Sequence, residues 1–115
     1  MVLKLATDDM KVSILASGST GNVTYIETPE HKVLVDAGIS GKKIANLMTS
    51  IGRDINEVDS LFISHEHTDH CHSAGILARK YGLDVYANQG TWDAMAHKIG
   101  NVPAELCHVF DPDTT

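Results

Sequence analysis

At 115 residues the chain is at most one domain, of a size that can bury a core. Its hydrophobic content of 43% and charged content of 21% are ordinary for a soluble globular protein, and no apolar run approaches the ~18 residues of a membrane span. The net charge of −6 argues against a broad basic face, although bound divalent metals would supply positive charge where phosphates approach.

Residues 1–9 show no clear period and read as an N-terminal extension or frayed lead-in. Lys4 and a short apolar stretch ended by Asp8 and Asp9 make a poor signal peptide. Val12, Ile14 and Leu15 mark a strand over residues 11–16. Ser17, Gly18, Ser19, Thr20, Gly21 and Asn22 then form a tight loop of small, hydrogen-bonding residues. It is like a phosphate cradle but lacks the length and the lysine of G-x-x-x-x-G-K-[ST], so the bare residues favour a plain hairpin connection. Residues 23–27 are a second strand, and Thr28, Pro29, Glu30 and His31 a turn. Residues 32–35 are a third strand ending at Asp36-Ala37-Gly38.

Asp36, at a strand's end, is either a turn former or a carboxylate that orients a metal-bound imidazole. Residues 40–51 are predicted helical, because Ile44, Leu47, Met48 and Ile51 fall on one face and Gly52 closes the run. Residues 53–59 are a polar connection. Leu61, Phe62 and Ile63 read as a buried strand that runs straight into Ser64-His65-Glu66-His67-Thr68-Asp69-His70.

On an extended backbone, residues two apart project to the same side, so His65 and His67 aim at one point while Glu66 faces away. Asp69 and His70 follow a turn and reach a second point nearby. Imidazoles and a carboxylate suit zinc, iron or manganese, and H-x-H-x-D-H is half of a two-metal site. The helical H-E-x-x-H motif is excluded, since Asp69 stands where its second His belongs.

After the motif, Ala74, Leu77, Ala78 and Tyr81 make a helical stripe stopped by Gly82, and residues 84–87 a short strand. Thr91 is expected to cap a helix over residues 92–99, with Trp92, Met95 and Ile99 toward the core and Gly100 at its end. Residues 106–110 begin a last strand. The resulting order is an α/β layering without repeat or linker. His31, His97 and His108 read as surface or core residues, and Cys71 and His72 as the first turn of a helix or a contact beside the metals. Cys71 and Cys107 form no C-x-x-C pair and no disulfide framework, which fits a reducing, cytoplasmic setting.

The motif, with its preceding strand and the earlier Val35-Asp36-Ala37-Gly38 turn, resembles the metallo-β-lactamase superfamily. Residues 13–22, 34–38, 63–70 and 77–83 together resemble its bacterial YycJ/WalJ (VicX) branch, cytosolic proteins linked to nuclease activity. The resemblance runs from about residue 10 to residue 111. It implies an α/β (α+β) fold, the N-terminal half of an αββα sandwich, with residues 10–115 a partial domain. It implies that His65 and His67 bind one divalent metal and Asp69 and His70 a second, zinc or manganese, with a bridging hydroxide as nucleophile and Asp69 orienting it. Asp36 matches the family's supporting carboxylate, and residues 17–22 its substrate-side loop.

Family members are roughly twice this long and take further ligands, a bridging Asp and two His, from a later segment that has no counterpart before Thr115. The branch's short Gly-bearing turn after the motif is here Cys71-His72-Ser73-Ala74-Gly75. The chain is therefore expected to be the first half of a metallohydrolase, by itself inactive, weak in metal binding, and self-associating or only partly folded. For the complete protein the expected activity is a phosphodiesterase, a 5′–3′ exonuclease on double-stranded DNA. The alternatives are hydrolysis of a small ester, thioester or lactam, and a catalytically inactive metal-binding fragment. No membrane partner is expected.

Overall fold

Alternating strands organise the molecule from β2 onward. In the computed structural model, which describes residues 4–5, 10–19, 21–64 and 68–110, β2 (Lys11–Ala16), β3 (Val23–Glu27) and β4 (Lys32–Val35) form an antiparallel meander. A two-residue strand, β1 (Lys4–Leu5), adds to the open edge of β2, so the lead-in contributes a pairing that its lack of period did not announce. From β4 the sheet turns parallel: β5 (Ser60–Phe62), β6 (Asp84–Ala87) and β7 (Cys107–Val109) follow in order. Among the described residues this is one seven-stranded sheet in the order β1 to β7.

Parallel neighbours need crossovers, and helices supply them. Helix α1 (Gly41–Ser50) joins β4 to β5, α2 (Thr68–Cys71) and α3 (Ala74–Tyr81) join β5 to β6, and α4 (Gln89–Ile99) joins β6 to β7. Helix α1 takes its predicted form. The Ser40 side chain accepts the Lys43 N–H at the N-cap, and Ile44 and Met48 are fully buried. Gly82 stops α3 in the left-handed conformation.

Helix α4 corrects its predicted start. Asn88, not Thr91, is the cap: its Oδ1 accepts the Thr91 N–H at 2.7 Å, so the helix begins at Gln89 and Thr91 is buried inside its first turn. Asn and Thr are both good caps, and the apolar stripe that begins at Trp92 masks the earlier one. A short 3-10 turn over Ile55–Glu57, capped by Asp54, lies inside the segment read as connection. It buries Ile55 and Val58. A second one, Ala104–Leu106, delays β7 to Cys107.

The two sheet faces differ. Ser13, Tyr25, Leu34, Leu61 and Val85 are register partners across β2 to β6, and they lie buried beneath α1, α3 and α4 with Leu77 and Met95. Leu61 is on this face as expected. The opposite row, Ile14, Thr24, Val35, Phe62, Tyr86 and His108, is only partly covered, and Ile14 is 58% exposed. Its rings stack in a line, with centroids 4.7 Å apart for Phe62–Tyr86 and 4.6 Å for Tyr86–His108. The core thus sits on one face, and the strand ends where β4 and β5 run side by side carry the site.

Candidate metal centre

Val35 and Phe62 are register partners at the ends of parallel β4 and β5, so Asp36 and the residues after Phe62 emerge together. The chain leaves β4 abruptly. Among the described residues Asp36 is the only non-glycine with positive φ, at 67°, a conformation that Asp tolerates better than most side chains. Its N–H donates to Phe62 O at 2.7 Å, and at 7% exposure its carboxylate is turned over the end of β5. There Oδ1 accepts the Ser64 N–H at 2.8 Å. The Ser64 hydroxyl lies 3.0 Å from Oδ1 and 2.8 Å from Oδ2. His70 Nδ1 lies 2.8 Å from Oδ2.

A carboxylate only accepts, so the proton of a neutral His70 ring sits on Nδ1 and Nε2 keeps its lone pair. That is the tautomer a metal-bound histidine takes when a carboxylate holds its other nitrogen. The backbone fixes the same geometry. Ala37 N donates to His70 O at 2.6 Å, and Ser73 N donates back to Ala37 O at 2.9 Å. Helix α2 is thereby fastened to the turn after β4. Nε2 of this oriented imidazole is a donor of the kind divalent metals take, and it stands at the carboxyl ends of parallel strands, where open α/β sheets place their ligands. Among the described residues it is not joined by two further His, Cys, Asp or Glu groups.

Of the residues assigned from sequence, His70 and Asp36 are brought together. His65 and His67 lie outside the described residues, and of Asp69 the backbone alone is described, within α2. Ser64, Ala37 and Ser73 were given no role from sequence. A hydroxyl immediately before a ligand histidine was the one available signal, for Ser64. Ala37 acts through its backbone, and Ser73 through its N–H and its hydroxyl, which donates to Ala37 O at 3.3 Å.

The loop after β2 lies at the same sheet end. The Asn22 side chain closes it as a ring, accepting the Gly18 N–H at 3.2 Å and donating to Gly18 O at 3.0 Å. Asn22 O accepts the Gly38 N–H at 3.0 Å. A Cβ on Gly21 would collide with Ile39 and stand 2.6 Å from Gly38 O, so glycine is what lets loop and turn meet. Ser17, Gly18 and Ser19 are exposed, and Thr20 lies outside the described residues.

The remaining histidines serve elsewhere. His31 is exposed at the opposite end of β4, with Nδ1 3.5 Å from Asp59 Oδ2. His97 is exposed on α4, and His108 Nε2 meets Asp84 Oδ1 at 2.9 Å. Cys71 and Cys107 are thiols, the first buried.

The family model of the metallo-beta-lactamase superfamily matches residues 16–113. The chain is 51% identical over 107 residues to Exodeoxyribonuclease WalJ of Streptococcus pneumoniae serotype 2, covering 91% of this chain and 40% of that protein. It is 52% identical over 98 residues to Exodeoxyribonuclease YycJ of Bacillus anthracis, covering 85% of this chain and 37% of the other. A B3 metallo-β-lactamase with an active-site glutamic acid superposes at a TM-score of 0.70 and 18% identity, over 95% of this chain and 45% of that one. The chain thus spans about two fifths of the length of the curated relatives it matches. Among the described residues no helix is long and apolar enough to cross a membrane.

Proposed function

The chain belongs to the metallo-β-lactamase superfamily, and we propose that the full-length protein is a metal-dependent phosphodiesterase, a 5′–3′ exonuclease on double-stranded DNA. The observation that carries this is the 51% identity to an exodeoxyribonuclease over 91% of the chain. The fold family implies divalent metal ions, and two ions, zinc or manganese, are the reading adopted here. His65 and His67 would hold the first, Asp69 and His70 the second. When bound, the ions supply Lewis acidity toward the phosphoryl oxygens and an activated water at neutral pH.

The chain's own groups do the positioning. Asp36 keeps the His70 proton on Nδ1. Asp69 would accept a hydrogen bond from the attacking water. The loop over residues 17–22, exposed at Ser17, Gly18 and Ser19, would offer the Ser17 and Ser19 hydroxyls to the DNA backbone at the same sheet end. A cytoplasmic location follows from a DNA substrate.

The test is to incubate the full-length protein, with manganese or zinc, with duplex DNA labelled at either end, and in parallel with a chromogenic lactam. Release of nucleotides from 5′ ends is expected. Lactam turnover without nucleolysis would overturn the reading.

A further inference from the structure

We propose that Ser64 is a positioning residue that sets the affinity of one metal, the one held by His70, by locking the Asp36 carboxylate. The inference rests on the two-metal reading above and assigns a role to a residue outside the ligand set.

A carboxylate that orients an imidazole must itself be oriented. Among the described residues the donors that hold the Asp36 carboxylate, besides His70, are on Ser64. The N–H donates to Oδ1 at 2.8 Å, and the hydroxyl lies 2.8 Å from Oδ2, its one proton directed into the carboxylate. Ser64 Oγ also stands 3.4 Å from His70 Nδ1, on the side of the ring that carries the proton. The three groups form a closed triangle in which rotation of the carboxylate breaks two contacts at once.

The two halves of Ser64 divide the work. Its N–H bond fixes the backbone that enters the motif, and any residue but proline keeps that bond. Its hydroxyl reaches both oxygens, 3.0 Å from Oδ1 and 2.8 Å from the Oδ2 that holds His70, and only a hydroxyl-bearing residue supplies it. Removing the hydroxyl therefore frees the His70 ring and leaves the entry to the motif in place. Partners that orient a metal-bound histidine typically change metal affinity 10- to 100-fold. A partner one step further out is expected at the low end, about tenfold.

The experiment uses the metal-loaded full-length protein and a chromophoric chelator that resolves two binding steps with zinc. Ser64→Ala is expected to weaken one step about tenfold and leave the other unchanged, and Ser64→Thr to restore it. Ser13→Ala, which removes a buried core hydroxyl, is the control and leaves both steps alone. Thermal unfolding of the metal-free forms is recorded alongside. Equal weakening of both steps, no weakening, or a loss of melting temperature with unchanged zinc binding would each overturn the role given to Ser64. A parent protein that binds no zinc would instead overturn the functional reading on which it rests.

Discussion

His70 reaches back 34 residues to Asp36, and the 2.8 Å contact between Nδ1 and Oδ2 fixes the tautomer of a ring that the sequence places in a metal motif. Asp36 does two jobs, one with its side chain and one with its backbone, and two substitutions separate them. Asp36→Asn keeps a residue that tolerates positive φ but turns one acceptor oxygen into an N–H₂ donor. Asp36→Ala loses both acceptors and also strains the turn, by about 1–2 kcal/mol for the left-handed conformation. Both are expected to lower metal affinity about 10- to 100-fold in the full-length protein. Only the alanine variant should also melt several degrees lower without metal. Equal affinity in the parent and Asp36→Asn would remove Asp36 from the site.

A second carboxylate, Glu27 at the end of β3, predicts the acid behaviour of the fold. Arg53 Nε and Nη2 donate to its two oxygens at 2.6 and 3.2 Å, and the buried Tyr25 hydroxyl donates at 2.7 Å. The Arg53 hydrogen bond is the largest cause holding the Glu27 carboxyl at about 2, against an ordinary 4.5. Burial, foremost, and the bond to Glu27 push the Tyr25 phenol above its usual range, so it stays a donor. A carboxyl depressed on folding stabilises above its unfolded value and loses that contribution as pH falls toward its folded one. The contribution is on the order of 2–3 kcal/mol, because Glu27 is only 15% exposed. Urea unfolding of the parent and Glu27→Gln should differ by this amount at pH 6 and converge between pH 4.5 and pH 2. A constant gap across that window would contradict the assignment.

Gly75 lies where α3 passes the end of α4. A Cβ there would run into the Ile99 carbonyl and stand 2.8 Å from Arg79 Nη1, which donates to Ile99 O at 3.0 Å and Asn101 O at 2.7 Å. Alanine is better than glycine inside a helix by about 1 kcal/mol. Overpacking against a backbone carbonyl costs about 1–3 kcal/mol, and here it also displaces the guanidinium. The clash outweighs the propensity, so Gly75→Ala should lower the melting temperature. A rise would mean that the two helices separate without penalty.

These residues show where a linear reading stops. The strands over 11–16, 23–27, 32–35 and 84–87 were legible because their apolar positions are bounded by turn residues, and α1 because Ile44, Leu47, Met48 and Ile51 recur at helical spacing. Gly75, read as part of an atypical turn, and Arg79, given no role by its own segment, owe their roles to the end of a helix more than ten residues further on. The same holds at the site. His70 was recognisable from its motif and Asp36 from its turn. The Ser64 bond to Asp36 spans 28 residues, and the hydroxyl's place before the motif does not name its partner. His65 and His67, the most legible of all, lie outside the described residues.

The last prediction concerns residues 1–115 expressed by themselves. A hydrolytic zinc site takes about three protein ligands per metal, and the motif supplies two for each of the proposed ions. Metal binding by this chain should therefore be weak and turnover absent. Its sheet also presents Ile14, Val35, Phe62 and Tyr86 along one incompletely covered row, beside an open groove of about 410 Å³ lined by Val33, Phe62 and Tyr86. Left in water, an apolar sheet face pairs with another like itself. The chain is expected to sediment as a dimer or larger species, and Phe62→Glu, which places a charge in the centre of the row, to shift it toward monomer. The core beneath the helices is on the other face, so the variant should keep its circular dichroism spectrum. A parent chain that is a compact monomer with family-level hydrolysis would overturn this prediction.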